Sequence, residues 1–278
     1  MKCLCAFLFL LSCSCTIWAQ QKENIYDEDH SIRFAGHLFQ RKDFAMAAGE
    51  YEHVLFFQPK DSFFHHRLLI SYLKSSQFNT GIKRGNELYP SLTSMPPDIA
   101  FTLGKTYLMA ERYEALTYLF LGEKSSLKPS DKAYLSIGNN LINRNWEEAQ
   151  SIFSQQDPKS KIAELYRPIV QRTESVAYKK AWVGGVLSAI IPGTGKIYAK
   201  QWKDGVIGLL FVGSLAFSTY RQFNRGGTDN WLTFVYGGLT LGFYAGNVFG
   251  SWKAVKRYNQ RIDNEIIQQT KARIYSRL

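Results

Sequence analysis

From Trp231 to Trp252 the chain runs twenty-two residues without a charge, and from Gly205 to Tyr220 another sixteen. A helix needs roughly 20 apolar residues to span the hydrocarbon of a bilayer. The longer run reaches that outright, with Trp231 and Trp252 at its ends as interfacial anchors. The shorter run needs tilt or local thinning. Gly238, Gly242, Gly246 and Gly250 recur every fourth residue of the longer run, a ridge along which a second helix packs closely. Glycine costs a helix about 1 kcal/mol relative to alanine, so four in phase fit a close-packed membrane helix better than a soluble one.

Ahead of these runs stands "AIIPGTGKIYAKQWKDG", residues 189–205. Its Gly-Lys pair suggests a phosphate-binding loop, which needs a glycine five residues before Gly195 and a hydroxyl after the lysine. Those positions hold Ile190 and Ile197, so it is not a nucleotide site. Pro192, Gly193, Gly195, Tyr198 and Gly205 instead resemble the hairpin signature PGxGQxYxGxxxxG of small bacterial membrane domains, over about 181–250. Lys196 replaces the usual Gln, and Lys200 stands near the middle glycine. The resemblance implies that Pro192 and the glycines break the apolar segment 181–191 and turn the chain at the interface. Tyr198 and Trp202 would then lie at headgroup level.

The first half is periodic. "KDFAMAAGEYEHVLFFQPKD" places Phe44, Ala47, Tyr51, Val54 and Pro59 at helix-turn-helix spacing. Thirty-four residues on, Phe78, Gly81, Gly85 and Leu88 take the corresponding places. A third copy carries Tyr113, Leu116, Phe120 and Pro129, and a fourth Trp146, Ala149, Phe153 and Pro158. Upstream partner helices contribute Ala35 and Leu38, Leu69 and Tyr72, Gly104 and Tyr107, Ile137 and Leu141. Small residues let paired helices approach while aromatics fill the gaps between pairs. The pattern resembles the tetratricopeptide repeat family over about 28–160. Gly85 departs from it where a large residue is usual, and Glu123 where a small one is. The resemblance implies a right-handed solenoid whose first helices form a concave face for a peptide or protein. That face is expected to expose His37, His65, Lys74, Lys105 and Asn140.

The ends add location. Lys2, an apolar run and Ala19 before "QQKENIYDEDH" have the layout of a secretory signal peptide, cut after Ala19. Lipidation at Cys13 is the rival processing. All four cysteines, Cys3, Cys5, Cys13 and Cys15, lie in this leader, so a mature chain has no disulfide and no thiol chemistry. The tail 253–278 continues as a helix, with Val255, Ile262, Ile266 and Ile274 on one side. Lys253, Lys256, Arg257, Arg261, Lys271, Arg273 and Arg277 dominate the other, a pattern suited to anionic lipid or a partner. Topology is pulled two ways: the basic clusters flanking the runs favour three crossings, and the break at Pro192 favours two. The balance leans to three.

No His-Glu-x-x-His, Gly-x-Ser-x-Gly or metal-ligand cluster occurs. His65 and His66 diverge by about 100° on a helix and cannot share an ion. The expectation is therefore an all-α, non-enzymatic chain with no cofactor and no metal. Its order is signal peptide 1–19, tetratricopeptide-like solenoid 20–160, capping helix and linker 161–180, glycine-rich transmembrane domain 181–252 and basic amphipathic tail 253–278. The function expected is a membrane-anchored protein-binding scaffold at the bacterial inner membrane, with its repeats facing the periplasm. Such envelope proteins resemble a group common in Bacteroidota-type bacteria. Expected partners are a protein or peptide in the groove and membrane lipid, anionic lipid included, with no nucleic acid and with self-association open. The alternative is an accessory subunit of a transport or membrane-insertion apparatus.

Overall fold

Four turns of one design organise the first half of the computed structural model, which describes residues 27–91, 94–122 and 125–276. They join α1 (Glu28–Gln40) to α2 (Phe44–Phe57), and α3 (Ser62–Lys74) to α4 (Phe78–Leu88). They also join α5 (Pro97–Met109) to α6 (Tyr113–Leu116), and α7 (Pro129–Ile142) to α8 (Trp146–Ser154). Each turn holds one left-handed residue: Lys42 (φ 65°), Ser76 (60°), Glu111 (60°) or Arg144 (66°). The next N–H, of Asp43, Gln77, Arg112 or Asn145, bonds back to the carbonyl of Leu38, Tyr72, Tyr107 or Asn140. This is a Schellman closure, which satisfies carbonyls left open at a helix end. Its recurrence about every 34 residues gives the sequence period a backbone cause. The leader, its cysteines and the Ala19 cleavage site lie outside the described residues.

Among the described residues the fold is all-helical, with thirteen α-helices and no strand. Ala35, Leu38, Ala47, Tyr51, Val54, Leu68 and Tyr72 form one apolar cluster. Of the other positions read as repeat packing, Gly81, Gly104, Tyr107, Phe120 and Ala149 are buried. Phe44, Phe78, Tyr113, Trp146 and Phe153 are half-buried. Gly85, the anomaly of the second copy, is small because Leu103 occupies the space: a Cβ there would meet its methyl at 2.8 Å. After α6 the chain continues as a π-helical stretch, Thr117–Leu121.

The chain divides into two compact units between Leu135 and Ser136. That division falls within α7, ahead of the boundaries that composition suggested at 160 and 180. The second unit adds α9 (Lys161–Glu174), α10 (Ala181–Ile190), α11 (Thr194–Tyr198), α12 (Trp202–Gly226) and α13 (Trp231–Ser276).

Among the described residues one helical segment, Trp202–Asp229, is long and apolar enough to cross a membrane, and only 6% of its apolar window is buried in the protein. The two runs thus exchange rank. The shorter one extends at both ends into α12, while the longer one is diluted by glycines, tyrosines and Asn247. α10 has ten residues, a rise of about 15 Å, or half a bilayer core. It stops before Pro192, so α10 alone does not reach across a bilayer core.

The basic tail is no separate element but the second half of α13, 46 residues long. Val255, Ile266 and Ile274 on its apolar side are buried within the protein. Polar contacts fasten it to the segment ahead of α10. The Asn259 amide accepts from the Lys179 N–H at 3.1 Å and donates to the Lys179 carbonyl at 2.9 Å. Tyr178 donates to Asp263 at 2.6 Å, and Arg172 pairs with Glu265 at 2.6 Å. The chain before the uncharged runs and the chain after them are therefore neighbours.

Candidate functional site

In the first unit, α3 and α5 each place a cation one helical turn after an aromatic, at the i,i+4 spacing that brings side chains together. The Arg67 guanidinium lies 5.2 Å from the Phe63 ring centre and 4.5 Å from that of Phe39. The Lys105 ammonium lies 4.5 Å over Phe101, whose ring meets Tyr134 edge-on at 5.3 Å. Lys74 reaches over Phe44 at 5.7 Å. The rings hold the cations through their electron-rich faces while keeping water away.

That desolvation shows in the titration of the face. Burial, with the nearby charge of Lys74, lowers the Lys105 ammonium to about 8, against the pull of Asp131. Burial also lowers Lys74, with Lys42 adding to the effect, and raises the Asp131 carboxyl. His66 is lowered by burial too. Its Nε2 stands 2.9 Å from the Thr102 hydroxyl, whose own proton goes to the Asp98 carbonyl, so Nε2 is the donor. Positive charge held at a desolvation cost, with apolar rings around it, is charge that a nearby anionic group would stabilise.

Of the groove residues expected from sequence, His37 is exposed and Lys74, Lys105 and Asn140 are half-buried. His65 departs from expectation: it is buried, with Nε2 2.9 Å from the Pro59 carbonyl and Nδ1 2.8 Å from the Tyr89 hydroxyl. A carbonyl only accepts, so Nε2 carries the proton and His65 is structural. Arg67, Phe63 and Phe101 escaped the sequence reading, which weighed His66 only as a metal ligand. The aromatic–cation pairs four apart, Phe63 with Arg67 and Phe101 with Lys105, were the signal that could have found them.

In the second unit the motif glycines are sites of backbone contact. A Cβ on Gly195 would lie 1.8 Å from the Gly184 carbonyl oxygen, and one on Gly193 2.0 Å from that of Gly205. Gly193 also has φ 89°, and a Cβ on Gly205 would lie 2.7 Å from the Gly193 oxygen. A hydroxyl chain fixes the same junction. Gly195 N–H donates to Ser188 at 2.9 Å, Ser188 meets Ser251 at 2.7 Å, and Ser251 donates to the Asn247 carbonyl at 2.8 Å. Each hydroxyl has one proton, so Ser188 donates to Ser251. Tyr198 is half-buried, and its ring and that of Tyr258 flank the Lys179 ammonium at 4.9 and 4.5 Å.

The ridge Gly238, Gly242, Gly246, Gly250 does not pack against a helix of this chain. No atom lies within 4 Å of a Cβ placed on the first three, and only Lys196 Cε, at 3.8 Å, approaches the fourth. α12 and α13 meet beside it, through Thr219 and Thr240 at 3.0 Å and the edge-on rings of Phe211 and Phe243. The ridge is left facing an open cleft of about 680 Å³.

No family model, curated protein or solved structure matches the chain. Among the described residues no group of three or more His, Cys, Asp or Glu is placed to hold a metal ion.

Proposed function

We propose that the chain is a membrane-anchored scaffold of the bacterial envelope. A tetratricopeptide-like solenoid holds an anionic segment of a protein partner, and a glycine-rich helical hairpin fixes it in the inner membrane with the repeats toward the periplasm. The carrying observation is the row of desolvated cations with aromatic collars on α3 and α5, centred on Lys105. Four equivalent turns about 34 residues apart support the solenoid. The exposed apolar surface of α12 supports the anchor. The second reading, an accessory subunit of a transport or insertion apparatus, draws on the open cleft between α12 and α13.

Photo-crosslinking in membranes tests the scaffold reading. A benzophenone amino acid at Phe63, which is 55% exposed, is expected to give a discrete protein adduct. The adduct should disappear in the Lys74→Glu, Lys105→Glu double variant and persist in Lys83→Glu, a charge change on α4. An adduct that survives loss of both lysines, or none at all from Phe63, would sink the assignment of this face.

A further inference from the structure

The open cleft between α12 and α13 has two unlike ends. Along most of its length Gly238, Gly242 and Gly246 make a floor without side chains, walled by Phe211, Leu239 and Phe243. At the other end Lys196, Gln201, Asp204 and Arg257 converge. Lys196 stretches across that end: its Nζ comes within 3.6 Å of the Cβ position of Gly208 on α12, and its Cε within 3.8 Å of that of Gly250 on α13.

Where the two ends join, Asn247 lines the cleft. It is only 7% exposed, and neither its amide oxygen nor its amide nitrogen has a hydrogen-bond partner. A buried amide with both polar atoms unmet is costly, and in a native fold it marks a missing partner. The side chain is held there by α13 and covered by Gly208, whose Cβ position lies 2.9 Å from the Asn247 oxygen.

We infer that this cleft holds one anionic phospholipid, with an acyl chain on the glycine floor and the phosphate between Lys196 and Arg257. This rests on the reading of α12 and α13 as a membrane hairpin. An open apolar slot with a glycine floor takes a polymethylene chain, since nothing branched is needed to fill it. Two basic side chains against one carboxylate favour an anionic head over a zwitterionic one. The Asn247 amide donates to an ester or phosphate oxygen at the junction of head and chain. A second copy of α13 laid on the ridge would fill the apolar part but leave Asn247, Lys196 and Arg257 facing apolar helix surface. The volume lies within the usual range for small-ligand sites.

Native mass spectrometry of the full chain, released from nanodiscs of equal phosphatidylglycerol and phosphatidylcholine, tests this. One retained phosphatidylglycerol per chain is expected, favoured roughly tenfold over phosphatidylcholine by the basic pair. Gly242→Leu, which places a side chain where space is open, should abolish retention. Lys196→Gln with Arg257→Gln should keep lipid but equalise the two headgroups. Leucine at Gly213, which also has no neighbour within 4 Å, should leave retention unchanged.

No retained lipid in the unmodified chain, equal headgroups there, or a dimer lost on Gly242→Leu would each overturn the proposal, the last in favour of a second copy. Alkaline carbonate extraction separates the two readings. A chain washed from membranes defeats the hairpin reading itself, whereas a chain that resists extraction yet retains no lipid defeats only the cleft.

Discussion

Lys105 is held where an ammonium is least at ease, and the protein's pH response should record it. Its folded pKa, about 8, lies below the ordinary lysine value, so the unfolded chain binds the proton more tightly. Stability should therefore rise with pH from about 8 towards 10.4, and the unfavourable contribution is fully present below 8. Lys105→Met keeps a flexible apolar stem beside Phe101 and removes the charge. The expected outcome in denaturant melts of the detergent-solubilised chain is a gain of ~1–2 kcal/mol at pH 7, after the lost ring contact, with the rise above pH 8 gone. A stabilised variant that also loses the Phe63 adduct would show stability and binding opposed at one residue. The glycines give a sharper contrast. Gly195→Ala drives a methyl into the Gly184 carbonyl and should cost about 3 kcal/mol or abolish folding, while Gly213→Ala should be neutral or mildly stabilising. Sequence spacing picked out Gly193, Gly195 and Gly205 as turn residues. It could not reveal their contact partners, because Gly184 and Ser188 become neighbours only after the chain reverses at Pro192.

At the scale of elements, the repeat period was readable because apolar and small residues recur with it. The turn design that underlies it was not, because the left-handed positions carry Lys, Ser, Glu and Arg in place of glycine. A non-glycine residue there bears roughly 1–2 kcal/mol of strain. Glu111→Gly is therefore expected to stabilise by about 0.5–1 kcal/mol once glycine's extra freedom in the unfolded chain is allowed for. A fall in melting temperature would show that the Glu111 side chain contributes more than its backbone strain removes. α13 exposes a different limit. The sequence marks the end of the uncharged run at Trp252, but no glycine, proline or cap interrupts the residues that follow, so the helix continues past it. Its second half is held by Asn259, whose amide satisfies both backbone groups of Lys179. Asn259→Leu leaves an N–H and a carbonyl unmet, at a cost of about 1–3 kcal/mol. Limited proteolysis should then cut within 175–180, where the unmodified chain resists.

For the whole molecule, the Asn259–Lys179 contact carries a topological consequence that neither charge counting nor run length supplied. Lys179 precedes every apolar segment of the second unit and Asn259 follows them all. If the two touch, the chain between them crosses the membrane an even number of times. On the hairpin reading proposed above, with α10 too short to span, the crossings would be α12 and the first part of α13. The basic residues at 196, 200, 203, 253, 256 and 257 then share one side, with Lys256 stacked 3.8 Å over Trp252 and Lys253 4.6 Å over Phe249. The positive-inside tendency would put that side in the cytoplasm, while the leader expected at 1–19 would export the repeats. Single cysteines at the exposed positions Lys159, Thr228 and Gln269, in a chain whose leader cysteines are replaced, decide between the two forces. With an impermeant maleimide on spheroplasts, the proposed arrangement labels 159 and 269 and spares 228. Labelling of 228 alone keeps two crossings but turns the repeats inward, so that charge has overruled the leader. Labelling of 159 and 228 without 269 means three crossings, and it requires the Asn259 bracket on Lys179 to be absent in the membrane.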